Sequence, residues 1–91
     1  MNLSTKKLER IIKGFANHRR LQVIVLLKES PELSVEEIAE RLHMNYENAS
    51  DHIRKLAIAG LVLKRYEGTT VRHKLTERAH TVLSLCKKLN Q

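Results

Sequence analysis

Aromatic side chains are scarce: two tyrosines, one phenylalanine and no tryptophan in 91 residues. Surfaces that stack single-stranded nucleic acid or RNA need several aromatic platforms. Phe15, Tyr46 and Tyr66 are too few for that mode. Cysteine occurs once, at Cys86, which excludes an intramolecular disulfide and a cysteine-rich zinc site. One proline and three glycines leave little to interrupt helices. The longest near-apolar stretch, AIAGLVL, is far too short to span a bilayer. The opening MNLSTKKLER has neither an apolar run nor a small-residue cleavage site, so no signal peptide is expected, and a cytoplasmic location is. No glycine-rich phosphate loop, HExxH pair or nucleophile clustered with a base is present, so no enzyme is expected.

What the chain has is positive charge, unevenly placed. It carries 17 Lys and Arg against 10 Asp and Glu, a net +7. Residues 1–30 and 61–91 each balance at +5, and residues 31–60 at −3. A polyanion partner would therefore be held mainly by the two ends of the chain. At 91 residues there is one domain with one modest core.

Periodicity supplies the elements. Leu8, Ile11, Ile12 and Phe15 fall at i, i+3, i+4 and i+7, predicting a helix over about residues 4–16 with Ser4 or Thr5 as its cap. Asn17 caps a second helix, HRRLQVIVLLKES, apolar nearly all round from Leu21 to Leu27 and hence a buried spine. Pro31 ends that pattern. Ser34 and Glu37 form a capping box for a third helix with Val35, Ile38, Ala39 and Leu42 on its apolar face. After the turn HMN, Asn45 caps a fourth helix that buries Ala49, Ile53 and Leu56 and closes at Gly60. Two such helices joined by a short turn form a helix-turn-helix, over about 34–59. Leu61 and Leu63, then Val71, His73 and Leu75, alternate with polar or smaller residues, predicting a β-hairpin over about 61–75 with its tip at Gly68–Thr70. Thr76 caps a last helix over about 76–90, with Val82, Leu85, Cys86 and Leu89 on one stripe.

The expected fold is thus mostly α with a small β-hairpin, in the order helix, helix, helix-turn-helix, wing, helix: a winged helix-turn-helix. ANHRRLQVI, LSVEEIAERLHMNYENASDHIRKLAIAGLV and EGTTVRHKLT resemble, in order, the second helix, the helix-turn-helix with its exit, and the wing of ArsR-type (arsenic-repressor) transcriptional regulators. The resemblance spans about residues 15–78 and extends more loosely to the MarR type. It implies a sequence-specific regulator that binds double-stranded DNA as a homodimer, with the fourth helix in the major groove. A winged-helix module for protein–protein contact, or a non-specific architectural DNA binder, is the alternative. Metal-sensing members carry a cysteine pair in the first helix of the helix-turn-helix. Here that stretch is ELSVEEI, without a thiol, and His43 stands at the usual turn glycine.

The resemblance carries base contact to Tyr46, Asn48, Ser50 and Asp51. Phosphate contact falls to Arg54 and Lys55, to the wing cations Lys64, Arg65, Arg72 and Lys74, and to Arg19 and Arg20 at the start of the second helix. Arg72, beside the hairpin tip, is the leading wing candidate. Arg20 has an equal alternative in a pair with Glu36 or Glu40. Glu47 is read mainly as a helix-stabilising acid in the first turn. Asp51 is read as an acceptor for cytosine N4, although Arg54 and Lys55 lie at pairing distance along the helix. The terminal stripes (Leu8, Ile11, Ile12, Phe15; Val82, Leu85, Cys86, Leu89) are expected to supply the dimer interface. Glu77 and His80 make an incomplete ligand set, so no metal or cofactor is expected.

Overall fold

The computed structural model describes residues 1–91. Five helices and one hairpin follow in the order α1 (Thr5–Phe15), α2 (His18–Glu29), α3 (Val35–Leu42), α4 (Tyr46–Ile58), β1 (Val62–Glu67), β2 (Thr70–Leu75) and α5 (Glu77–Leu89). Every helix begins at a side-chain cap. Ser4, Asn17, Ser34, Asn45 and Thr76 each accept from a backbone N–H of the first turn. At Ser34 the box is reciprocal: Ser34 Oγ accepts from the Glu37 amide at 3.2 Å and Glu37 Oε1 accepts from the Ser34 amide at 2.9 Å. Each such cap is worth about 1 kcal/mol.

The core gathers Val23, Ile24 and Leu27 of α2, Ile38 of α3, Ile53 and Leu56 of α4, and Ala79 and Val82 of α5. Leu61, Val62 and Leu75 close it from the hairpin side. The spine reading of α2 holds for one face only. Val25 is 47% exposed, because α2 is covered by α3, α4, β2 and α5 and the side bearing Val25 is left open. α1 contributes no buried residue and packs mainly on α4.

The hairpin is antiparallel, pairing Val62 with Leu75, Lys64 with His73 and Glu67 with Thr70 around Gly68, whose φ is +62°. Its phase differs from the expected alternation. Leu61 is buried just before the strand, Val62 is the inward strand residue, and Leu63 lies 59% exposed beside Lys74. Three consecutive apolar residues leave the phase open, and the partners Leu75 and His73 settle it.

Main-chain and hydroxyl hydrogen bonds fix the wing and its two flanking residues, Gly60 and Thr76, in place. Leu33 forms a short antiparallel bridge with His73, in which the His73 amide donates to the Leu33 carbonyl at 3.0 Å and the Glu32 amide to the His73 carbonyl at 2.9 Å. Thr76 Oγ1 donates to the Gly60 carbonyl at 2.7 Å while accepting from the Ala79 amide, so one hydroxyl joins the exit of α4 to the start of α5. His43 adopts the left-handed conformation (φ 53°) at the end of α3, as its position in the turn required.

Candidate nucleic-acid interface

Ala49, Ile53 and Leu56 pin α4 to the core, so its other face is turned outward by the period of the helix. Tyr46, Glu47 and Asn48 are exposed, and Ser50 and Asp51 are half-buried. A cleft of about 520 Å³ separates this end of α4 from the hairpin. Tyr46 and Ser50 line one side, Lys64, Tyr66 and Thr70 the other, and Glu36 lies at the start of α3. Two of the three aromatic residues thus stand on this cleft, with Tyr66 exposed on the wing.

Asp51 is already occupied. Its Oδ1 accepts from Arg54 at 2.6 Å and its Oδ2 lies 3.0 Å from Lys55 Nζ. Lys55 and then Arg54 hold its carboxyl below the usual aspartate range. The base-reading candidate and two phosphate candidates therefore form one cluster along α4.

The wing arginines are not free either. Arg65 and Arg72 face each other across the strands. Arg65 Nε pairs with Glu32 at 3.0 Å and its Nη1 with Glu67 at 3.4 Å. Arg72 Nε pairs with Glu67 at 3.2 Å, and its Nη1 donates to the Glu32 carbonyl at 3.1 Å and lies 3.9 Å from Glu37. Glu67 is held low by Arg72 and then Arg65, and Arg65 is raised by Glu32. Arg72, expected at the tip facing a phosphate, is drawn instead toward the loop before α3. Of the four wing cations, Lys64 and Lys74 are the ones without an ion pair.

Arg19 and Arg20 also have structural surroundings. Arg19 donates to the Leu42 carbonyl at 2.5 Å and to Gln22 Oε1 at 2.6 Å, and so clamps the C-terminus of α3 to α2. Arg20 pairs with neither Glu36 nor Glu40. Its Nε is buried without a hydrogen-bond partner, as is Nδ1 of His52. Burial and then the Arg20 charge push the His52 imidazole down. On α5, Val82 is 7% exposed and belongs to the chain's own core, where α5 leans on the other helices, so it leaves the set of surface residues. Leu8, Ile12, Leu85 and Leu89 are exposed, and Ile11, Phe15 and Cys86 are half-buried. No group of three His, Cys, Asp or Glu side chains is placed to hold a metal ion, and no helix is long and apolar enough to cross a membrane.

Sequence reasoning missed Glu32, Glu67 and His73. Glu32 meets Arg65 and Arg72 only through the fold, whereas Glu67 lies two residues from Arg65 on the same strand face and reaches Arg72 around the hairpin tip. His73 is 1% exposed, and its Nδ1 lies 2.8 Å from the Leu33 carbonyl. Its place on the alternating inward face of β2 was the one available signal.

Comparison with known proteins decides the family. The pattern described as bacterial regulatory protein, arsR family, matches residues 17–64. The chain is 37% identical over 76 residues to the transcriptional activator HlyU of Vibrio cholerae, covering 84% of this chain and 69% of that protein. The chain belongs to the arsR family. Another relative, an HTH-type transcriptional regulator of Mycobacterium tuberculosis, is 45% identical over 60 residues, 66% of this chain and 26% of its own length. This chain therefore matches about a quarter of that protein. Among solved structures, the homodimeric winged helix-turn-helix DNA-binding domain of a possible ArsR-family regulator from Mycobacterium bovis superposes with a TM-score of 0.85 at 31% identity, covering 99% of this chain and 89% of that one. As an arsR-family winged helix-turn-helix, the chain has α3 and α4 as its helix-turn-helix and β1–β2 as its wing. Ser34 and Glu36 stand at the start of α3, in a stretch without a thiol.

Proposed function

We propose that the chain is a sequence-specific regulator that binds double-stranded DNA as a homodimer, in the cytoplasm and without enzymatic chemistry. The observation that carries this is the outward end of α4, with Tyr46, Asn48 and Ser50 standing beside a cleft whose opposite wall is the wing. A B-DNA major groove admits one helix, and short polar side chains at its N-terminal end reach base edges. Tyr46, Asn48 and Ser50 read bases, Asp51 sets the disposition of Arg54 and Lys55, and Lys64 and Lys74 supply wing charge. Arg19, Arg65 and Arg72 hold the frame. The exposed leucines and isoleucine of α1 and α5 (Leu8, Ile12, Leu85, Leu89) meet a second copy. Two recognition helices about 34 Å apart then match a palindromic site.

Selection from random duplexes tests this directly, alongside a mass measurement. Enrichment of one palindromic sequence by a dimer is the expected result. If no sequence is enriched over competitor DNA, the regulator reading fails.

A further inference from the structure

We infer that α1 carries a separate DNA-backbone contact, formed by Arg10 and Lys13 beside the end of the recognition helix. The inference rests on the DNA-binding reading above and adds a site to it.

The first observation is where the uncommitted cations lie. The wing arginines hold Glu32, Glu67 and Glu37, Asp51 holds Arg54 and Lys55, and Arg19 holds the Leu42 carbonyl. Much of the charge that the sequence places on the expected interface is thus neutralised or turned inward. On α1, Lys6, Lys7 and Arg10 form no ion pair, and Lys13 meets only Glu9 at 3.5 Å, with both side chains largely in solvent. Exposed pairs of this kind contribute little and yield readily to a competing anion.

The second observation is where these cations point. At about 100° per residue, Lys6, Arg10 and Lys13 fall on the side of α1 opposite Leu8 and Ile12. A dimer that uses the apolar stripe leaves them free. Arg10 and Lys13 line a cleft of about 290 Å³ together with Gly14, Lys55, Ile58 and Ala59. Cations from two helices therefore converge on one surface depression. Gly14 makes the approach possible, since a Cβ there would stand 2.5 Å from the Ala59 Cβ.

The third step is distance along α4. Lys55 follows Glu47 by about two turns, or about 12 Å of helix axis, and the major groove is about 12 Å wide. A helix with its first turn against base edges therefore brings Lys55 to the wall of the groove, where phosphates run. Arg10 and Lys13 line the same cleft as Lys55 and, not being held by Asp51 as Lys55 is, meet the phosphates that run there. The ligand is the phosphodiester chain beside the bases read by α4. Long flexible cations hold it without reading sequence.

The test compares the full chain with R10Q/K13Q on the duplex selected above, by anisotropy titration across salt. K87Q/K88Q is the control, removing the same charge from the far end of α5. Each lost phosphate contact lowers the slope of log affinity against log salt by about 0.9. R10Q/K13Q should bind more weakly with a slope shallower by about 2, and between about 50 and 200 mM salt the unmodified chain should lose about twelvefold more affinity than the variant. The selected sequence and the dimer mass should not change, and K87Q/K88Q should keep the original slope. An R10Q/K13Q slope equal to wild type overturns the α1 site, as does an equal loss in K87Q/K88Q, and either leaves the regulator reading standing. Failure of the unmodified chain to select any duplex removes both.

Discussion

The Asp51 carboxylate lies 2.6 Å from the Arg54 guanidinium one turn along α4, with Lys55 at 3.0 Å on its other oxygen. Both partners lie C-terminal to the acid, the better orientation for an intrahelical pair. An ionised carboxylate can accept more than one hydrogen on each oxygen, so a cytosine amino group would have to share Asp51 with two cations. We expect Asp51→Ala to release Arg54 and Lys55 for phosphate and to strengthen binding similarly across duplex sequences, most at low salt. A loss confined to one base position, measured by titrating a panel of single-substituted duplexes, would instead establish Asp51 as a reader.

The same reasoning separates Arg72 from the wing lysines. Its guanidinium meets Glu67, Glu37 and the Glu32 carbonyl, and its side chain is 30% exposed. Arg72→Ala should cost about 1–2 kcal/mol of stability, the range for hydrogen bonds to a charged group discounted for exposure. It should leave the salt slope of DNA binding unchanged. Lys74→Gln should do the reverse, with an unaltered urea midpoint and a slope shallower by about one. A slope change in Arg72→Ala would return Arg72 to the phosphate contacts.

His73 makes stability depend on mild acid. Burial lowers its pKa, with the Leu33 hydrogen bond opposing and Lys64 adding to the effect. Unfolded histidine titrates near 6.5, so below that pH the unfolded chain holds more protons than the folded one. Stability is therefore full above about 6.5 and is lost as pH falls toward the folded value. Each such histidine contributes a slope of at most about 1.4 kcal/mol per pH unit. His52 is shifted in the same direction by burial and Arg20. Thermal melts between pH 7.5 and 5 should show a falling Tm. His73→Asn, whose amide still donates but does not titrate, should reduce the fall, and adding His52→Gln should nearly abolish it. Ser34 hydrogen bonds hold the Glu37 carboxyl below the usual range, Arg72 and then Arg65 do so for Glu67, and Lys55 and then Arg54 for Asp51, so their loss comes at lower pH. An unchanged pH profile in the double variant would refute the assignment.

The features legible in the sequence are the local ones. Caps act within one turn, so Ser34, Asn45 and Thr76 announced their helices, and Gly60 with φ +76° announced the exit of α4. The outward face of α4 followed from the spacing of Ala49, Ile53 and Leu56. What stayed hidden depends on long separations. Glu32 meets Arg65 across 33 residues, and its carbonyl meets Arg72 across 40. A charge count places cations on the wing but not the acids that the fold folds back onto them. The alternation of β2 put His73 on the inward face, but its bridge to Leu33, 40 residues away, is not encoded in any local pattern.

The seating of α1 on α4 rests on one missing side chain. A Cβ at position 14 would meet the Ala59 Cβ at 2.5 Å, and neither is the flexible end of a long chain that could turn aside. Gly14→Ala must therefore displace α1, at about 1–3 kcal/mol for overpacking. A gain of up to about 1 kcal/mol in helix propensity offsets part of this. A net loss is expected in urea unfolding, with rescue by Ala59→Gly in the double variant, since the two sites touch and their effects should not add. The single variant should also bind DNA with a shallower salt slope, because Arg10 and Lys13 move away from Lys55, and the double variant should recover it. Additive stability effects in the cycle would show that α1 is not held to α4 through this contact.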